Sequence, residues 1–160
     1  MNILFIQTGG SIDKDYPKSI KGYAFEITEP AVERILLRIQ PEFNYTVTSL
    51  LKKDSQEITD DDRKILSDFC LKSKFKSIII THGTDTMLET AKYLSVIKDK
   101  TIILTGSFKP EKFKETDADF NVGMAVGAID FLPPGVYIAM NGKVRIFDKI
   151  KRNQKTGHFV

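Results

Sequence analysis

Apolar residues follow two alternating rhythms along the chain. Short runs at Ile3 to Ile6, Tyr45 to Leu51, Ser77 to Thr81, Thr101 to Leu104 and Val136 to Met140 are rich in β-branched residues and bounded by turn signals. Lacking strict alternation, they fit strands buried on both faces, as parallel sheets require. Between them the spacing becomes helical. The first helix is predicted with Thr28 as N-cap and Pro30 in its first turn, with Val32, Ile35, Leu36 and Ile39 on one face and Pro41 closing it. The second is capped by Thr59, carries Asp60, Asp61 and Asp62 where the helix dipole favours anions, turns Ile65, Leu66, Phe69 and Cys70 inward, and ends near Ser73. A third starts at Asp85 or Thr86 with Leu88, Ala91 and Leu94 or Ser95 inward. A fourth runs from about Asp117 through Val122, Ala125, Val126 and Ile129 until Pro133 and Pro134 stop it.

Alternating strands and helices predict an α/β domain: a five-stranded, mostly parallel, doubly wound sheet of flavodoxin/Rossmann-like type. Asn141-Gly142 signals a tight hairpin, so Lys143 to Phe147 should return antiparallel as a C-terminal hairpin strand. Asp148 to Val160 shows little periodicity and is left open as loop, short strand or frayed tail. With no repeat, low-complexity segment or linker, residues 1–160 read as one domain. At 41% apolar side chains this length suffices to bury a core.

Charge narrows the partners. A net charge of +3, from 24 basic and 21 acidic residues interspersed, gives no nucleic-acid footprint. The lone Cys70 excludes an internal disulfide framework and suits a reducing compartment. The chain opens on Ile3 to Ile6 without a basic leader, and no apolar run approaches membrane-spanning length, so the expectation is a cytoplasmic protein with no membrane contact.

Four polar turns follow the first four strands: Thr8-Gly9-Gly10-Ser11, Asp54-Ser55-Gln56, His82-Gly83-Thr84-Asp85-Thr86 and Thr105-Gly106-Ser107. Loops at the carboxyl ends of parallel strands converge on one crevice, so these polar groups are expected to share a site. The first turn has the wrong glycine spacing for a dinucleotide loop, and no helix starts before Glu29, so no cofactor is expected. Glycines beside a hydroxyl instead allow close substrate approach and free N–H groups for an oxyanion, which suits acyl transfer. Two histidines and one cysteine make no metal-ligand spacing, and no G-x-S-x-G elbow is present. His82 reads as a structural residue.

These turns, in this order, resemble the amino-terminal domain of the bacterial-type L-asparaginases, threonine amidohydrolases that release ammonia from asparagine and often glutamine. Thr8-Gly9-Gly10-Ser11-Ile12 is similar to the family's first signature, with serine for its usual second threonine; His82 to Ala91 matches the other more closely. The resemblance implies that Thr8 is the nucleophile of an acyl-enzyme and that Tyr23, or with looser spacing Tyr16, activates it. It implies that Ser55 and Gln56 hold the substrate's α-carboxylate and α-amino end, that Asp85 pairs with the α-ammonium and that Thr84 joins Asp85 and a lysine in a proton-handling trio. Gly9 and Gly83 complete the implied substrate-binding positions.

Two departures qualify that picture. Aligning Met140-Asn141 brings Arg152 opposite the family's lysine, with Lys151 beside it. Arginine stays protonated and cannot accept a proton, whereas a buried lysine can be tuned to do so. The family's smaller carboxy-terminal domain, which supplies an acidic contact to a neighbour's site, has no counterpart in these 160 residues. The expected function is therefore hydrolysis of the side-chain amide of asparagine or a similar small amide, by a homo-oligomer needing no cofactor or metal. The alternatives are a non-catalytic amino-acid binding or regulatory module on the same fold and, more distantly, a nucleotide binder.

Overall fold

The computed structural model describes residues 1–17 and 25–160. Its main sheet has six strands in the order β4-β1-β5-β6-β7-β8, with β1 at Asn2–Gly9, β4 at Asn44–Lys53, β5 at Ser77–Thr81, β6 at Thr101–Thr105, β7 at Gly135–Met140 and β8 at Lys143–Ile146. The first five are parallel; β8 pairs antiparallel with β7, Met140 opposite Lys143. A two-stranded ribbon joins β2 (Lys14–Asp15) to β3 (Glu26–Ile27).

Side chains alternate between two cores. One face carries Leu4, Ile6, Ile78, Ile80, Ile102 and Leu104 under α2 (Asp60–Lys72) and α3 (Met87–Leu94). The other carries Ile3, Phe5, Ile79 and Ile103 under α1 (Ala31–Ile39) and α4 (Ala118–Ile129). Strands covered by helices on both sides need apolar residues at every position, which is why they read as continuous runs. The order reverses at β1, where the chain crosses to β4 on one side and β5 on the other; such a switch point opens a crevice at the strands' carboxyl ends.

Local signals translate directly. Asn141 and Gly142 both have positive φ, 51° and 77°, the geometry of the tight hairpin their sequence specifies. Thr59 caps α2 through a reciprocal box with Asp62. Three expectations change. Thr28 does not cap α1: Pro30 holds that position, and the donor Ala31 N–H is taken by the Asp13 carboxylate, 2.7 Å away and 18 residues earlier. Ile39 on α1 and Ile65 on α2 are at least half exposed while Ile35, Leu36, Leu66 and Cys70 face the core, so the buried stripe of each helix is narrower than its composition suggests. Residues 148–160 are not frayed. Ile150 and Phe159 join the core, and Arg152 bridges Phe159.

Candidate functional site

Three of the four polar turns meet at the switch point. They enclose a cavity of about 290 Å³ lined by Gly10, Ser11, Lys14, Asp54, Ser55, Gln56, Gly83, Thr84 and Asp85. A larger groove of about 640 Å³ between α2 and α3 is lined by residues such as Arg63, Lys64, Tyr93 and Val96 and lies away from the strand ends. Lined by the sides of two helices and by none of the four polar turns, it is the weaker candidate. The fourth turn stays outside: the Ser107 hydroxyl donates to the Lys109 carbonyl, and Gly106 packs behind His82, where an added Cβ would lie 2.3 Å from the His82 carbonyl oxygen.

Glycine makes the convergence possible. Gly10, at φ 89°, lies so close to Gly83 that a Cβ would sit 2.4 Å from the Gly83 Cα; a Cβ on Gly83 would in turn meet Ser55 Cβ and Oγ at 2.6 Å. Any side chain at either position would drive the three turns apart. The wall behind Gly83 is fixed by a buried relay. Since a carbonyl can only accept, His82 Nδ1 donates to Gly83 O at 2.7 Å, leaving Nε2 to accept from Thr90 Oγ1 at 2.8 Å, while Arg63 Nε donates to that hydroxyl at 3.3 Å. Burial pushes the His82 imidazole down to about 4, so it is neutral at pH 7, as the relay needs. Thr86 Oγ1, donating to Ser55 O at 2.6 Å, ties the second and third turns together.

Charges around the cavity are paired. Lys14 holds Asp54 at 2.6 Å and lowers its carboxyl below the usual range. Asp85 is gripped at both oxygens, by Gln56 Nε2 at 2.8 Å and by Arg152 Nη1 at 3.0 Å. Beneath the first turn lies Asp13, fully buried, its carboxyl pushed up to about 7 by burial against the opposing Ala31 N–H bond. Among the described residues no group of three or more His, Cys, Asp or Glu side chains could hold a metal ion, and no helix is long and apolar enough to cross a membrane.

The asparaginase N-terminal family model matches residues 2–156. The chain belongs to the asparaginase family. It is 29% identical over 156 residues to the glutaminase-asparaginase of Acinetobacter glutaminasificans, covering 89% of this chain and 47% of that one. It is 31% identical over 157 residues to L-asparaginase 2 of Escherichia coli, covering 89% and 44%. Its fold superposes on the thermostable L-asparaginase from Thermococcus kodakarensis with a TM-score of 0.86 at 24% identity, over 100% of this chain and 51% of the other. The chain thus spans about half the length of these relatives and corresponds to the family's amino-terminal domain.

Of the residues the asparaginase resemblance singled out, Ser55, Gln56, Gly83, Thr84 and Asp85 line the cavity. Thr8 does not. It sits in the bulge where the register between β1 and β4 shifts, fully buried, and its hydroxyl donates to the Thr81 carbonyl at 2.8 Å. Its hydroxyl is thus turned into the sheet and away from the cavity lining. Ser11, three residues on, is the hydroxyl residue of that turn on the cavity wall. Gly9 is likewise behind the wall, packed against Lys53. Lys151 is solvent-exposed and pairs through its backbone with Val160; it is Arg152 that reaches Asp85. Tyr23 lies outside the described residues, and Tyr16 is exposed, its ring against Phe25 at 5.3 Å. Asp13 and Lys14 were not marked as site residues by the sequence, whose only hint was their place just after the first signature turn, and Asp54 was named only as part of the second polar turn.

Proposed function

We propose that this protein is an amidohydrolase that cleaves a small carboxamide through an acyl-enzyme on Ser11, releasing ammonia. One observation carries the reading: three interlocked turns bring Ser11, Ser55 and Asp85 to the wall of one small polar cavity, in a member of a family whose relatives are named for asparagine and glutamine hydrolysis. The Ser11 hydroxyl would attack the amide carbon; the amine would leave as ammonia, and water would release the acid. Tyr23 remains our choice to take the hydroxyl proton, since Tyr16 is engaged with Phe25. Thr84 and Asp85 orient the ligand, with Ser55 and Gln56 on its far end. Incubation of the purified chain with L-asparagine, L-glutamine and succinamate, followed by ammonia detection, tests the reading. Release from at least one is expected; none from any would contradict it.

A second reading, a binding or regulatory module, is favoured by the contact of Arg152, an arginine where a proton-handling lysine is expected, with Asp85. Ligand binding by calorimetry without turnover would select it. We further place the protein in the cytoplasm, supported by its single, buried and unpaired Cys70, and as a self-associating chain, supported by exposed Leu37, Phe120 and Phe131 on the α1–α4 face. Cell fractionation and sedimentation test these two points.

A further inference from the structure

Of the short turn Ser11–Asp13, only Ser11 lines the cavity. Ile12 is fully buried, and its carbonyl accepts from Glu111 N–H at 3.1 Å. Asp13, fully buried as well, is fixed at both backbone and side chain. Its N–H donates to Gly10 O at 3.2 Å, closing the turn around Ser11, and its carbonyl accepts from Thr28 N–H at 2.9 Å and Thr28 Oγ1 at 3.1 Å. Its Oδ1 accepts from Ala31 N–H at 2.7 Å, and its Oδ2 faces Thr81 Oγ1 at 3.5 Å. Thr81 ends β5, the strand that leads into Gly83. Asp13 therefore ties the first turn both to the start of α1 and to the base of the third turn.

This carboxyl has no counter-ion in contact with it among the described residues. The groups that face it are neutral donors: Ala31 N–H from α1, the Gln7 amide from β1 and the Thr81 hydroxyl from β5. Arg34, one turn along α1, acts on it through space only; its Nε is held by Glu111 Oε2 at 2.6 Å, and its buried Nη2 has no hydrogen-bond partner among the described residues. Burial outweighs the donors and pushes the carboxyl up to about 7. Ionised in place, Asp13 would be a buried charge without a partner, and water reaches it only if the turn gives way. Moving the turn moves Ser11.

We propose that Asp13 is a positioning residue for hydrolysis: neutral, it holds the Ser11 turn against α1 and β5, and loss of its proton releases the turn and withdraws Ser11 from the cavity wall. The inference rests on reading the cavity as an amide-hydrolysing site. Asp13 lies behind the wall and acts through the turn. Hydrolysis then follows its neutral fraction, which for a carboxyl titrating near 7 falls about tenfold from pH 6 to pH 8.

The test compares wild type with Asp13→Asn, which keeps an oxygen acceptor for Ala31 N–H and cannot ionise. Ammonia release and amide hydrogen exchange are followed from pH 6 to pH 8. The ratio of wild-type to Asp13→Asn kcat/KM, in which other titrations cancel, is expected to fall about tenfold across that range. A purely structural part for Asp13 would leave the ratio flat while both chains stay folded. Protection of the Asp13 and Thr28 amides, corrected for the intrinsic pH dependence of exchange, is expected to fall at least about tenfold in wild type and to hold steady in Asp13→Asn. A flat activity ratio, or turn protection that is constant in wild type or falls equally in both chains, would overturn the proposal. The two readings fail separately. Ammonia release with a flat ratio removes the positioning role and keeps the hydrolase; no ammonia from any amide removes the hydrolase and leaves amide exchange to decide whether Asp13 holds the turn. Should Asp13→Asn not fold, wild-type exchange decides alone, falling protection supporting the proposal and constant protection overturning it.

Discussion

The Thr8 hydroxyl donates to the Thr81 carbonyl at 2.8 Å, tying the carboxyl end of β1 to that of β5 beneath the cavity floor. Thr8→Val keeps the shape and removes the donor, leaving a buried carbonyl short of a partner, which costs about 1–3 kcal/mol. Denaturant melts should show that loss. A melt unchanged within error would mean that the bond is not formed in solution.

Gly83 is the contact point of all three turns. Gly83→Ala places a methyl group 2.6 Å from Ser55 Cβ and Oγ. Overpacking of this kind costs about 1–3 kcal/mol, and here the strain falls on the cavity wall. The variant is expected to fold with reduced stability and to lose ligand binding more completely than stability, measured by calorimetry beside a melt. Wild-type affinity in Gly83→Ala would show that the turns do not need this close approach.

Asp13 gives the stability a pH dependence of unusual sign for a carboxylate. Its carboxyl is raised from 3.8 to about 7, so between those values the folded chain binds a proton that the unfolded chain has released. Stability therefore falls as pH rises through that window, by a total on the order of 4 kcal/mol. His82, lowered from 6.5 to about 4, acts oppositely, because there the unfolded chain binds the extra proton. Asp54, Asp62 and Glu111, lowered by their cationic partners, lose their stabilising effect only in acid below the ordinary carboxylate range. The Asp13 contribution is thus read as the difference between wild type and Asp13→Asn, which retains an oxygen acceptor for Ala31 N–H. Urea melts from pH 4 to 7.5 should show that difference shrinking steadily; parallel profiles would place the Asp13 titration elsewhere.

Features written in neighbouring residues were legible before any coordinates. The Asn141-Gly142 hairpin and the Thr59 box depend on backbone preferences and contacts three residues apart, and both formed as expected. The convergence of three turns followed from topology. What failed depends on partners distant in sequence. Thr28 lost the helix cap to Asp13, since a buried carboxylate from another loop met the Ala31 donor first. Thr8 and Ser11 are both hydroxyls flanking the same glycines; only the bulge after Gln7 and the strand beside it decide which is turned inward. Arg152 and Lys151 are adjacent cations, and the Arg152–Phe159 bridge sets which one faces Asp85. Asp13 looked like one acid among many because burial is not written in a three-residue turn.

We assign the working hydroxyl of the first turn, in the proposed hydrolysis, to Ser11. Ammonia release measured side by side for Ser11→Ala and Thr8→Val, each shown by melting to be folded, tests it most directly. Ser11→Ala is expected to lose more than about 10³-fold in kcat/KM with its melt nearly unchanged, while folded Thr8→Val stays within about tenfold of wild type. Activity retained by Ser11→Ala and abolished in folded Thr8→Val would contradict the account.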